Sequence, residues 1–329
     1  MGLRHTRMRE TVARFGARNS LVGIVTDPQE GNSRHSGQGV ILLNAGIVHR
    51  VGPGRIYVKI ARALSAIGLL TLRFDFSGVG DSMVRHDHLC FDQSAISEVR
   101  DAMEFLTATR GIKQFILLGG CSGAQISMET ACCDSRVTGA VLINFPVLED
   151  EDGEESPSSD LITRRRAHYY WHFALLDRKS WRKLITGKAN YRNIFRVLGN
   201  QVRLSARGMM TKTSHTTGQF GRKVRELAAR HVNLVFLCAQ GDPVLKNLRE
   251  MGGSDLKQSC AMGAAFLDII PRSDHTFSSL DDQEKLLNVI VRRVDAMIPI
   301  ESPCGRESRK EAVPHLCAEA GSLSHGLEA

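Results

Sequence analysis

The chain has 329 residues, 42% of them hydrophobic and 6% aromatic, enough for one large α/β domain with an insertion or for two small domains. No apolar run approaches the roughly 20 residues that a spanning helix needs. The basic start, Met1-Gly-Leu-Arg-His-Thr-Arg-Met-Arg9, leads into no continuous apolar segment, which argues against a secretory signal and for a cytoplasmic protein. The net charge of +8 is uneven: 17 Lys/Arg stand between Arg164 and Arg230 against two acids, Asp177 and Glu226. Such a stretch suits either an anionic partner or a solvated helical surface. No nucleic-acid partner is expected, because no recognised binding motif accompanies the charge.

Residues 1–19 read as a flexible N-terminal arm. Residues 20–26 read as a first strand and 27–38, rich in Gly, Ser, Asn and Pro, as a turn. Residues 39–44 are an almost continuous apolar run, expected of a strand covered on both faces. A loop leads to a helix over 56–67, a strand over 69–74 and the loop Asp75-Phe-Ser-Gly-Val-Gly-Asp-Ser82. Residues 94–109 form an amphipathic helix with Ile96, Val99, Met103, Phe105 and Leu106 at apolar positions. The strand ending at Leu118, a helix from Ser122 and a strand over 138–144 follow.

This alternation predicts an α/β fold built on a mostly parallel, doubly wound sheet. The first part of the core is placed at 20–148. The acidic run Glu149-Asp-Glu-Asp-Gly-Glu-Glu155 opens a linker and basic helical cap over 149–230. Strand–helix alternation resumes in a second core part, 231–299, and the Ser/Glu/Gly-rich residues 300–329 read as a disordered tail.

The chemistry-bearing stretch is Phe115-Ile-Leu-Leu-Gly119-Gly-Cys121-Ser-Gly123-Ala124. An apolar run stops in small residues flanking a thiol, and a helical pattern follows. That is the layout of a nucleophile elbow, a strand-to-helix turn that needs small residues two before and two after the nucleophile. Gly119 and Gly123 meet the requirement around Cys121. Shifted by one, Gly120 and Ala124 flank Ser122, the alternative nucleophile. The Cys121 frame is favoured because Gly119 follows Leu118 directly. A Gly-rich turn holding an inert buried cysteine is the bland alternative.

A nucleophile of this kind needs a base and an acid to orient it, in the chain order nucleophile, acid, histidine. The strand over 231–238 runs into Ala239-Gln-Gly-Asp242-Pro, and residues 266–270 run into Pro-Arg-Ser-Asp274-His275-Thr-Phe277. His275 is therefore expected as base and Asp242 as its partner. Glu149 and Asp150 are alternative acids inside a solvated run, and Asp274 reads as a turn residue. Asp75 and Asp81 are expected to hold their loop by hydrogen bonds. The oxyanion needs two donors. The Ser122 amide is one, and Gly46 is chosen over Ile47 as the other. A helix N-terminus and a neighbouring histidine are surroundings that favour a thiolate.

The eight cysteines (90, 121, 132, 133, 238, 260, 304 and 317) show no metal-type spacing and read as free thiols. His86-Asp-His88 lacks further ligands, and Gly78-Val-Gly80 is too short for a dinucleotide fingerprint. No metal and no nucleotide cofactor are expected.

On these motifs the chain resembles the α/β-hydrolases. More narrowly it resembles the hydrolases associated with bacterial exosortase systems, in the serine-aminopeptidase-like branch. The likeness rests on Asn44-Ala-Gly-Ile-Val-His-Arg-Val-Gly-Pro53, Leu72-Arg-Phe-Asp-Phe-Ser-Gly-Val-Gly-Asp-Ser82, Gly119-Gly-Cys-Ser-Gly-Ala124 and Asp274-His-Thr-Phe277, and spans about residues 20–295. Members of that group often carry Cys at the elbow. Asn44-Ala45 stands where many α/β-hydrolases have His-Gly. The resemblance implies an α/β-hydrolase fold and a Cys121–His275–Asp242 triad. The reaction expected is cleavage of an ester or thioester of a small acyl substrate through an acyl-enzyme. The alternative is an acyltransferase or thioesterase acting on a CoA- or carrier-protein-bound acyl group.

Overall fold

The computed structural model describes residues 8–29, 37–46, 48–87, 89, 91–146 and 216–298. The acidic linker, most of the expected cap and the expected tail lie outside them. Eight strands form one sheet: β1 (Glu10–Phe15), β2 (Leu21–Thr26), β3 (Gln38–Leu43), β4 (Leu70–Asp75), β5 (Gln114–Gly120), β6 (Val137–Ile143), β7 (Asn233–Ala239) and β8 (Ala265–Ile270). Their order is β1-β2-β4-β3-β5-β6-β7-β8. The pairs β1–β2 and β2–β4 are antiparallel, and the pairs from β4–β3 through to β7–β8 are parallel. This is the mostly parallel sheet that the alternation of elements predicts.

Both faces of the sheet are covered, so the central strands are apolar on both sides. Along β5, Phe115 and Leu117 face one core while Ile116 and Leu118 face the other, as the two-residue period of a strand requires. The first core is closed by α2 (Phe91–Arg110), α3 (Ser122–Cys133), α4 (Thr216–Ala229) and α5 (Val244–Ala261), through residues such as Val99, Met128, Val224 and Leu256. The second is closed by α1 (Ile56–Ala66) and α6 (Leu280–Ala296), through Ile60, Leu64, Leu286 and Ile290. No helix among the described residues is long and apolar enough to cross a membrane.

Two boundaries differ from the sequence reading. Part of the expected flexible arm is β1, paired residue for residue with β2 from Glu10↔Thr26 to Phe15↔Leu21. Its pattern is that of a short edge strand: Val12 is 68% exposed, while Ala13 and Phe15 are buried. Phe15 stacks on Phe105 and meets Phe74 edge-on, which fixes the strand to α2 and β4.

The second correction is α4, which falls inside the expected cap over 149–230. Phe220, Val224 and Leu227 are buried in the first core, so the core resumes well before 231. The basic residues on this helix are paired on its outer side. Lys223 meets Glu129 at 2.6 Å and Arg225 meets Asp255 at 3.4 Å. Arg230, just after the helix, donates to the carbonyls of Ala131 and Cys132 at the C-terminal end of α3, where a cation complements the helix dipole.

Candidate active site

β5 ends at Gly120 and α3 begins at Ser122, so a single residue, Cys121, turns the chain from strand to helix. Its backbone sits at φ 51°, ψ −119°, a conformation that costs a non-glycine residue on the order of 1–3 kcal/mol. The surroundings hold it there. The Cys121 amide donates to the Ile143 carbonyl at 2.9 Å, and the Cys121 carbonyl accepts from the amides of Ala124 at 2.9 Å and Gln125 at 3.2 Å.

The flanking glycines are required by space. A Cβ on Gly119 would lie 2.3 Å from the backbone carbonyl of Gly123, and one on Gly123 would lie 2.4 Å from the Leu43 carbonyl oxygen. Gly120 is different, since its Cβ would meet only the Tyr57 hydroxyl at 3.3 Å. The tight positions are those two before and two after Cys121, so the geometry of the turn follows the Cys121 frame.

Asp242 and His275 arrive from the carboxyl ends of β7 and β8. The Asp242 carboxylate is 4% exposed, and its Oδ1 accepts from the Val244 amide at 3.0 Å at the start of α5. Its Oδ2 pairs with His275 Nδ1. The imidazole is 35% exposed and interacts with both Asp242 and Cys121. Burial opposes its charged form, but the hydrogen bonds to Asp242 and Cys121 outweigh that, and its pKa is pushed up to about 10. The structure thus brings together the three residues that the sequence singles out, from three strand ends.

A family model described as the alpha/beta hydrolase fold matches residues 39–262, more than half of the chain. The chain belongs to the α/β-hydrolase fold family. That membership makes it an enzyme of the hydrolase type. Among solved structures, an esterase from Pyrococcus furiosus is 14% identical with a TM-score of 0.56, over 89% of this chain and 92% of that one. A dienelactone hydrolase from Anabaena variabilis is 15% identical with a TM-score of 0.51, over 90% and 100%. An alpha-beta serine hydrolase homologue from Coxiella burnetii is 14% identical with a TM-score of 0.51, over 87% and 97%. At these identities the likeness is one of fold. No curated protein matches the sequence.

Ser122, the alternative nucleophile of this hydrolase, has its hydroxyl oxygen engaged elsewhere. It accepts from the Gly46 amide at 2.6 Å. The amide expected as the second oxyanion donor is therefore turned onto a side chain of the elbow. Ile47, the other choice, lies outside the described residues, as do Glu149 and Asp150. Asp274 does serve the turn: its carboxylate accepts from the amides of Thr276 at 2.9 Å and Ser278 at 3.1 Å. Asp75 accepts from the Arg50 amide at 2.6 Å and the Asp81 amide at 3.1 Å, and Arg50 reaches Asp81 Oδ2 at 2.6 Å. That network ties the loop after β3 to the loop after β4. Of the His86-Asp-His88 motif, Asp87 pairs with Arg85, and His88 is outside the described residues. Among the described residues no group of three or more His, Cys, Asp and Glu is placed to hold a metal.

Two residues of the hydrolase escaped the sequence reading. Asn144, just past β6, has φ 45°, and its side chain is a bridge. Nδ2 donates to the His275 carbonyl at 2.8 Å, and Oδ1 accepts from the Ala239 amide at 2.8 Å. Asn tolerates the left-handed region better than most residues, so an Asn at a strand end is the available signal. Tyr57 in α1 is the other. Its hydroxyl donates to the Leu43 carbonyl at 2.9 Å and accepts from the Gly120 amide at 3.0 Å, joining β3 to the elbow.

Proposed function

We propose that the protein cleaves an ester or thioester of a small acyl substrate through a Cys121–His275–Asp242 triad and a covalent acyl-enzyme. The observation that carries this reading is the placement of a thiol on a strained strand-to-helix turn, beside an imidazole whose other face is held by a buried carboxylate. Asp242 keeps the ring in one tautomer and favours its charged form. His275 accepts the thiol proton, and the Cys121 sulfur attacks the substrate carbonyl. The Ser122 amide, first in α3, supplies a donor to the oxygen that gains charge. When the tetrahedral adduct collapses, the imidazolium gives its proton to the departing alkoxide or thiolate, leaving an S-acyl bond on Cys121. Water then loses a proton to His275 and attacks that carbonyl. The carboxylic acid leaves, and the proton returns to the Cys121–His275 pair.

The test is labelling and trapping. An electrophilic thiol probe is expected to modify Cys121, with His275→Ala strongly slowing it and Cys121→Ala abolishing it. Absence of labelling in the folded protein overturns the enzymatic reading. Trapping the acyl group from a small activated ester, then mapping it, is expected to place it on Cys121. Discharge to water supports hydrolysis. Preferential discharge to a carrier thiol or an amine supports the transferase alternative.

A further inference from the structure

Granting Cys121 as nucleophile, we propose that the Ser122 hydroxyl, polarised by the Gly46 amide behind it, is the second donor to the oxyanion. A hydroxyl carries one O–H donor and two acceptor lone pairs. Ser122 Oγ uses one lone pair on the Gly46 N–H at 2.6 Å, which leaves its own hydrogen to donate. An N–H donating into a hydroxyl strengthens the hydrogen bond that the hydroxyl makes in turn. The Gly46 amide then acts through Ser122, and both donors to the oxyanion, N–H and O–H, come from the residue next to the nucleophile.

The elements on either side of this hydrogen bond are fixed, which is what preorganised stabilisation requires. β3 pairs with β5 up to Leu43↔Gly119. Tyr57 bridges the Leu43 carbonyl and the Gly120 amide. Gly123 packs so closely against the Leu43 and Asn44 carbonyls that a Cβ would lie 2.4 and 2.6 Å from them. Gly46 itself sits at φ 56°, a left-handed backbone that glycine adopts without strain. By contrast, the partners that raise the charged form of His275 are Asp242 and Cys121, so a base is assigned to the thiol and a donor role is left for the Ser122 hydroxyl.

The experiment compares two reactions of Cys121. Acylation by p-nitrophenyl acetate builds an oxyanion, whereas alkylation by iodoacetamide, a displacement at saturated carbon, builds none. Ser122→Ala is expected to slow acylation about 100-fold, the usual effect of losing one oxyanion donor, with the alkylation rate unchanged. Ser122→Thr, which keeps a hydroxyl, is expected to restore acylation to within a few-fold. The proposal is overturned if Ser122→Ala acylates as fast as or faster than the unmodified protein, because Gly46 then serves directly. It is also overturned if alkylation falls in parallel, because the effect is then on the thiol or the fold. In both cases an acyl adduct mapped to Cys121 leaves the triad reading standing. No acylation of the unmodified protein, or an adduct mapped to Ser122, overturns both together.

Discussion

The side-chain amide of Asn144 donates to the backbone carbonyl of His275 at 2.8 Å, across 131 positions of sequence. With its other end on the Ala239 amide, one buried side chain connects the ends of β6 and β7 to the loop that carries the histidine. Asn144→Ala leaves a buried donor and acceptor unmatched, and is expected to destabilise the fold by about 1–3 kcal/mol. The histidine loop loses its anchor as well, so kcat is expected to fall about 10- to 100-fold with little change in KM. Chemical denaturation and steady-state kinetics on the same variant check both.

His275 carries the clearest pH signature. Its pKa is raised to about 10 by hydrogen bonds to Asp242 and Cys121 that outweigh burial. A raised folded-state value means that the proton stabilises the native state. That contribution is fully present below the ordinary histidine value near 6.5 and is lost as pH climbs toward 10. The stability gap between the unmodified protein and His275→Ala is expected to be widest near pH 6 and to shrink by pH 10. Asp242→Asn is expected to lower the His275 value and move the window down. Denaturant unfolding across that range, with imidazole titration by NMR, reads both.

The three elbow glycines are expected to separate. Gly119→Ala and Gly123→Ala drive a methyl into backbone at 2.3 and 2.4 Å, and backbone atoms cannot swing aside as a flexible side chain can. Each is expected to cost about 3 kcal/mol or more and to abolish turnover. Gly120→Ala meets only the Tyr57 hydroxyl at 3.3 Å and is expected to cost about 1 kcal/mol or less. Thermal unfolding of the three variants checks the order.

The turn, the acid and the histidine were legible because each announces itself locally: an apolar run ending in small residues, a carboxylate after a strand, a histidine after the next. Asn144 was not. Its role depends on a positive φ and on partners 95 and 131 positions away, neither of which leaves a local pattern. β1 was hidden because an edge strand with one buried side shows too few apolar residues to stand out in six positions. α4 falls inside the expected cap because the strand pattern resumes only at 231, and a helix just before that strand carries no local sign of which body it packs on. Its Lys and Arg residues lie on the outer side, while Phe220, Val224 and Leu227 carry the packing. The Gly46–Ser122 hydrogen bond was beyond reach for a related reason, since the sequence placed both residues at the site but not their orientation toward each other.

Asn44 gives a test of stability against function. It is buried at the end of β3, and among the described residues neither Oδ1 nor Nδ2 has a hydrogen-bond partner. Burying an unmatched amide costs about 1–3 kcal/mol. Asn44→Leu, with the same number of side-chain heavy atoms, is expected to raise the unfolding free energy by about 1 kcal/mol. Denaturant titration of the variant reads the change directly.

The stack of Phe145 on Phe220, with ring centroids 5.4 Å apart, has a consequence for how this protein varies. These rings stand where the chain leaves the sheet after β6 and where it returns in α4, so the two ends are stapled together inside the core. A substitution at either ring is therefore felt at two strand–helix junctions at once, the exit from β6 and the entry through α4.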